Sequence, residues 1–364
     1  MNGQKVSSFQ MAVLLYVFLT GAAVIYVPGP LIGIAGAGAW ISLLLSGAIG
    51  FIILMMLFYL SRRFPGRDYI DYSRALIGNV MTMLFGLAAI SYLLPMQASI
   101  IEGVGLFMVS AMMRETPLYL FSSLVFLIAA CTARAGIEII ARMFSLIMLV
   151  TTFFIIIVLV FALPEYQPEQ LLPLSPKGML PITYGAYFTF GLPFAEVTMF
   201  GMLLPFVAGD TSTKRLHLSL SLALAASILT LCAVTVCILM VFGQTAAFNP
   251  FVLYSVARLI EFQEIIQRIE SVIGMSLILG SYMKATISLY LLSLYIAKLF
   301  RLKDNNTLIM PLALCGLLLG LVTYDSNTHW NNFLMEFYPL WIVLVIVAPL
   351  VLVTVVAMLR PAKR

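Results

Sequence analysis

Charge is what this chain of 364 residues has least of. Asp, Glu, Lys and Arg together make up 10% of it, where a soluble domain carries about 25%. Hydrophobic residues make up 62%. A soluble fold of this length has no interior able to hide so much apolar surface, and a disordered chain would be far more polar. Histidine is scarce as well: His217 and His329 are the two in the chain, far apart, which argues against a metal hydrolase. The four cysteines, Cys131, Cys232, Cys237 and Cys315, all lie in apolar stretches. They make no Cys-x-x-Cys or Cys/His metal spacing and read as small buried hydrophobes. Walker A, His-Glu-x-x-His and Gly-x-Ser-x-Gly sequences are missing. An enzyme would have no nucleophile, base or metal site to work with, so no catalytic residue, metal or cofactor is expected. The net charge of +5 comes without a basic run long enough to track a phosphate backbone, which excludes nucleic acid as a partner.

What the chain has is long apolar runs. Ten candidate spans cover residues 8–34, 38–61, 80–111, 117–133, 139–163, 181–207, 216–243, 269–299, 307–324 and 337–359. At 1.5 Å per residue, each crosses a hydrocarbon core of about 30 Å or comes close. Lys5, the apolar run from Phe9 and the small residues Gly21-Ala22-Ala23 resemble a secretory signal. The apolar character continues through Val24 to Val27, so this stretch reads as a retained first transmembrane helix. Orientation follows from the basic residues. With the N-terminus in the cytoplasm, the inner segments collect Lys5, Arg62, Arg63, Arg67, Arg74, Arg134, Arg142, Lys214, Arg215, Lys298, Arg301, Lys303, Arg360, Lys363 and Arg364, which is 15 of the 20. The outer segments hold Arg114, Lys177, Arg258 and Arg268, and Lys284 is left inside a span. An odd number of spans would scramble this asymmetry. The reading is an all-α integral membrane protein: one transmembrane domain over 1–364, ten helices, lipid around it and both termini cytoplasmic.

Two connecting segments look helical, 65–79 on the inside and 248–268 on the outside. In the second, Phe251, Val252, Val256, Leu259 and Ile260 recur at helical spacing, and Glu264 with Arg268 forms a favourable i,i+4 pair. The segment 164–181 carries five prolines and reads as extended. Spans 1 and 6 are interrupted, by Thr20-Gly21-Ala22-Ala23 with Pro28-Gly29-Pro30 and by Phe190-Gly191-Leu192-Pro193-Phe194. Breaks of this kind survive in lipid where protein or a water-filled cavity satisfies the freed backbone groups. Each falls in the first span of a five-span half, about 8–163 and 181–359. That pairing points to an inverted-repeat transporter fold with a midplane site. A simple kink is the ordinary alternative for each break.

A charge inside the membrane costs roughly 2.5–3.5 kcal/mol or more at a helix centre. Glu102 in span 3 shares a face with Ser91, Pro95, Ala98 and Gly105; Glu196 follows the break in span 6; Lys284 in span 8 shares a face with Ser281 and Ser288. All three are expected to line or support one polar cavity, with a plain buried ion pair or an interface-level snorkel as the alternative. Tyr324, Trp330, Tyr338 and Trp341 read as an interfacial aromatic belt.

Four stretches, FPGRDYIDYSRALIG (64–78), QPEQLLPLSPKGMLPI (167–182), FGLPFAEVTMFGMLLPF (190–206) and RIESVIGMSLILGSYMKATISLY (268–290), together resemble the B subunit of bacterial spore germinant receptors. The resemblance runs from about residue 5 to 360. It implies the LeuT-like fold of the amino acid–polyamine–organocation transporters, with helices 1 and 6 unwound. It also implies a germinant ligand, commonly an amino acid, and a complex with a receptor A subunit and a lipoprotein C subunit in the inner spore membrane. Carried over by position, the ligand-binding residues would be Gly21, Ala22 and Ala23, Ala98 and Glu102, Phe190, Gly191, Leu192 and Glu196, and Tyr282 and Lys284. Lys284 would stand where related transporters hold a sodium ion. The Gly21–Ile25 segment is less glycine-rich than the first helix of many such transporters, and acidic groups are few. Both favour a small neutral amino acid. A proton-coupled amino acid transporter and an assembly or channel subunit are the competing readings, because fold does not fix function.

Overall fold

The first helix begins at a capping box. Ser7 accepts the Gln10 backbone N–H through its hydroxyl, and the Gln10 side chain accepts the Ser7 N–H. This opens α1 (Ser8–Thr20). The computed structural model describes residues 4–173, 178–208, 213–260, 269–324, 330 and 332–360. Among them regular structure is helical, apart from an isolated bridge between Val6 and Val207. After a turn at Gly21-Ala22 the first span resumes as α2 (Ala23–Tyr26) and α3 (Pro28–Ala35), with Pro28 at a first position that needs no N–H partner. Then come α4 (Ala39–Arg63), α5 (Tyr69–Phe107), α6 (Leu118–Ala135) and α7 (Ile137–Phe161). The second half holds α8 (Leu180–Gly191), α9 (Thr213–Phe242), the short α10 (Val252–Leu259), α11 (Ile269–Leu299), α12 (Asn306–Thr323) and α13 (Phe333–Leu359).

Nine helical stretches among the described residues are long and apolar enough to cross a membrane. The sixth expected span is the exception. α8 has 12 residues, and the chain continues past Pro193 as a nine-residue 3₁₀ helix, Phe194–Met202. The interrupted sequence therefore gives an interrupted span.

Burial sorts the helices by position. In the α1–α2 stretch 78% of the apolar window is buried and in α11 72%, against 17% in α7. The first and eighth spans form the middle of the bundle, and α7 lies at its edge. On α7 the residues Leu146, Leu149, Phe153, Ile156 and Val160, at steps of three and four, point outward as a lipid-facing stripe.

The first helical connection forms, and the second is helical over Val252–Leu259, with 261–268 outside the described residues. The first is continuous with α5: Asp68 caps it by accepting the Asp71 N–H at 3.0 Å, and the helix bends at Gly78, whose φ of 83° suits glycine. The Lys298 ammonium at the end of α11 lies 2.6 Å from Asp68 and 3.3 Å from Asp71, and Arg74 donates to the Leu299 carbonyl. Burial pushes the Asp68 carboxyl above its usual range, and the Lys298 charge pulls against that shift. The second connection is α10, which buries Val252, Leu253, Tyr254, Val256 and Ala257 against the protein. The Glu264–Arg268 pair, Lys177 and His329 lie outside the described residues. The cysteines correct one expectation. All four are free, but Cys131 and Cys315 are exposed on the apolar outer surface, Cys232 is half-buried and only Cys237 is buried. A thiol packs against lipid as readily as against a protein core.

Candidate functional site

The break in the first span rests on α11. A Cβ placed on Gly21 would sit 2.5 Å from the Gly280 carbonyl oxygen and 2.6 Å from that of Val17. A Cβ on Gly280 would run into the Gly21 carbonyl. The two backbones touch at a point where no side chain fits. Gly21 therefore faces α11, and a ring placed on it would strike that backbone before it entered any cavity.

In the sixth span α8 stops at Gly191, which packs on Pro339 of α13. Leu192 is extended, with φ −141° and ψ 107°, and the Glu196 N–H returns to the Pro193 carbonyl at 3.1 Å as the 3₁₀ segment starts. This geometry carries Glu196 into the bundle interior. Its carboxylate Oε2 accepts the Lys284 ammonium at 2.7 Å, and its Oε1 accepts the Tyr338 hydroxyl at 3.1 Å. Both ions are buried, at 1% and 0% exposure. The Lys284 nitrogen also lies 5.4 Å from the centre of the Phe18 ring. Two ions so deep in a low dielectric hold only as a pair with supporting hydrogen bonds.

Next to this pair is a small cavity lined by Ala22, Ala23, Tyr26, Ser99, Ile100, Leu192, Lys284, Trp330, Leu334 and Tyr338. Its volume is about 20 Å³, room for about one water. The Tyr26 ring stacks edge-on against Trp330 at 4.8 Å and Phe251 at 6.0 Å, and the Trp330 indole N–H donates to the Ser99 carbonyl at 2.9 Å. Aromatic rings thus line one side, and Lys284 and Tyr338 line the other, with Glu196 bonded to both and the Tyr92 ring 4.8 Å from that of Tyr338. The space is mostly apolar, has one cation at its wall, and in this state has room for about one water.

The structure brings together part of the residue set expected from sequence. Ala22, Ala23, Leu192 and Lys284 border the cavity, and Glu196 is bonded to Lys284. Gly21 and Gly191 hold the backbone packing of the breaks, and Phe190 is in the hydrophobic core. Glu102 and Ala98 are elsewhere. Glu102 Oε2 accepts the Ser122 hydroxyl of α6 at 3.2 Å, and both residues pack near Gly320 of α12. The Glu102 Oε1 atom is buried without a hydrogen-bond partner among the described residues. Tyr282 points to α6 and α7: its hydroxyl is 2.7 Å from Thr132 Oγ1 and its ring meets Phe144. The expectation that Glu102, Glu196 and Lys284 share one cavity is therefore corrected. The bend at Gly78 and the packing of α5 decide which neighbour a polar stripe meets, and spacing alone does not carry that information. The aromatic belt is corrected too. Tyr324, Trp330 and Tyr338 are buried, two of them at the site, while Trp341 stays nearer the surface and donates to Ser91 at 3.2 Å. Near a span end, an interfacial aromatic and one turned inward read alike.

Comparison with known proteins gives the family and the fold. A family model described as "Spore germination protein" matches residues 5–328. Spore germination protein KB of Bacillus subtilis (strain 168) is 24% identical over 348 residues, covering 94% of this chain and 91% of that protein. Spore germination protein YndE of the same organism is 23% identical over 182 residues, half of each chain. Among solved structures, a mutant of the Eremococcus coleocola manganese transporter superposes with a TM-score of 0.72 at 12% identity, covering 94% of this chain and 78% of that one. MhsT in complex with L-phenylalanine superposes with a TM-score of 0.67 at 14% identity, covering 98% and 99%. The fold is that of the LeuT-like transporters.

Proposed function

Because the chain belongs to the spore germination protein family, we propose that it is the germinant-sensing membrane subunit of a spore germination receptor. The observation that carries this reading is the small cavity between two interrupted spans, with Lys284 at its wall and Glu196 behind it. The ligand is a small neutral amino acid bound near the membrane midplane. Ala22, Ala23, Leu192, Glu196 and Lys284 form the contact set, and Gly21, Phe190 and Gly191 shape the breaks. Ala98, Glu102 and Tyr282 act from outside the cavity. The partners are a receptor A subunit and a lipoprotein C subunit in the inner spore membrane, and both termini are cytoplasmic. The transmembrane domain consists of two inverted halves, about 8–163 and 181–359. In support, each half opens on an interrupted span, and a helical connection follows the second span of each.

Sensing needs two states. A cavity of about 20 Å³ is too small for an amino acid, so the ligand favours an expanded state over this one. To move the population from 1:99 to 99:1 it must bind the expanded state about 10⁴-fold more tightly. Partner subunits read that shift.

The test is dipicolinate release from spores of the source organism with this gene deleted. Loss of response to one amino acid, with vegetative uptake of it intact, is the expected result. Intact germination with impaired uptake would replace this reading with a second one, a proton-coupled amino acid transporter, which the transporter superpositions favour. That alternative predicts counterflow in liposomes, whereas a sensor gives saturable binding without concentrative uptake. Lys284 occupies the place of a coupling sodium ion in this reading, so binding is expected to be unchanged when sodium is replaced by choline. A strong sodium requirement would remove that role.

A further inference from the structure

Lys284 and Glu196 set an ammonium and a carboxylate 2.7 Å apart inside the bundle. A free amino acid carries the same two groups on one carbon. We infer that a zwitterionic amino acid binds by exchanging into this pair: the ligand carboxylate takes the Lys284 ammonium, and the ligand ammonium takes the Glu196 carboxylate. This rests on the amino acid reading above and says how the site recognises that class.

One member of the pair borders the cavity, and the other is bonded to it. Lys284 lines the cavity directly, and Leu192, four residues before Glu196, lines it from the interrupted span. The pair also has unused capacity. An ammonium has three N–H donors and a carboxylate about four acceptor positions. Among the described residues Lys284 makes one hydrogen bond, to Glu196, and Glu196 adds one acceptor bond from Tyr338. The remaining wall is apolar or small, with Ala22, Ala23, Ile100, Leu192 and Leu334, which suits a neutral side chain.

Energetics set the selectivity. A buried ion is costly when unpaired and tolerable when paired. A zwitterion replaces one pair by two, so neither protein ion is left alone at any point. A ligand with only a carboxylate strands Glu196, and one with only an amine strands Lys284. Sites whose buried polar groups would be left unpaired reject such analogues by large factors. Exchange also forces motion. Glu196 sits on the 3₁₀ segment and Lys284 on α11, and space for about one water adjoins them. A ligand between the two residues moves those elements apart, which makes the recognition step and the conformational step one event.

The experiment uses the full chain in lipid nanodiscs and calorimetric titration. L-Alanine, L-valine and L-leucine are each tested beside the des-amino acid and the amine that share the side chain. At least one amino acid is expected to bind, with both of its analogues at least 100-fold weaker. The Glu196→Lys/Lys284→Glu double exchange keeps an ion pair but reverses its polarity, and it is expected to fold and to lose at least 100-fold in affinity. Should that variant not fold, Glu196→Gln decides. With Lys284 kept and the carboxylate gone, its preference is expected to move at least tenfold from the amino acid toward the des-amino acid. An amino acid that binds wild type no better than its analogues, or an unchanged preference in Glu196→Gln, overturns the exchange while the sensor reading stands. Binding of none of the three amino acids would remove the amino acid reading itself and the exchange with it.

Discussion

Glu196 and Glu102 are the same residue type, buried to 0% and 1% exposure in one membrane bundle, and their surroundings treat them in opposite ways. Glu196 sits on an interrupted span and receives an ammonium and a hydroxyl from two other helices. Glu102 sits on a continuous helix and receives one serine hydroxyl, with its second oxygen unpartnered among the described residues. Burial in the bundle does not distinguish them. The difference lies in what the neighbouring helices supply: α11 and α13 bring a cation and a donor, whereas α6 and α12 bring Ser122 and Gly320. A buried carboxylate with an ionic partner ties helices together, so changes there propagate to several elements. One held by a single neutral hydroxyl ties down little.

Four substitutions sharpen this comparison. The largest effect is expected from Lys284→Met, which strands Glu196 and should cost about 3–5 kcal/mol. Lys284→Met combined with Glu196→Leu should recover most of that loss, because no ion is left alone. Thermal unfolding in one detergent measures both, and a single variant no less stable than the double would show that the two positions hold no buried charge pair. Tyr338→Phe comes next. It deletes a hydrogen bond to a charged acceptor and should cost about 1.5–3 kcal/mol. An unchanged midpoint would mean that the hydroxyl gives Glu196 no support. The smallest effect is expected at the other carboxylate. Glu102→Gln keeps an acceptor for the Ser122 hydroxyl and should change stability by less than about 1 kcal/mol. A loss as large as that of Lys284→Met would erase the contrast and show that Glu102 has an ionic partner of its own.

The sequence makes the central pair legible and its surroundings less so. Apolar runs locate the spans, and glycine with proline locates the interruptions, because backbone satisfaction in lipid leaves few other options. Glu196 and Lys284 stand out for the same reason, since a charge inside a span needs a partner. The side-chain directions are harder. Tyr282 is two residues from Lys284, about 200° away around a helix, so the two could not share one wall, and spacing on α11 was sufficient to separate them. The departure of Glu102 from the site was not readable, because it depends on how a long bent helix settles against α6 and α12. Trp330 and Tyr338 were hidden by their position near a span end, where amphipathic aromatics are common at the lipid interface.

One more consequence follows from α11. This helix is a rod of 31 residues. It carries Lys284 in its middle, and 14 positions later it carries Lys298, clasped by Asp68 and Asp71 at the start of α5. At 1.5 Å per residue those points are roughly 21 Å apart along the axis. Gly280, one turn before Lys284, bears directly on the Gly21 backbone, so the rod has a fulcrum beside the site and a load at its far end. Under the proposed exchange, a tilt about the Gly21–Gly280 contact would be carried along that arm to the carboxylate clasp at Lys298.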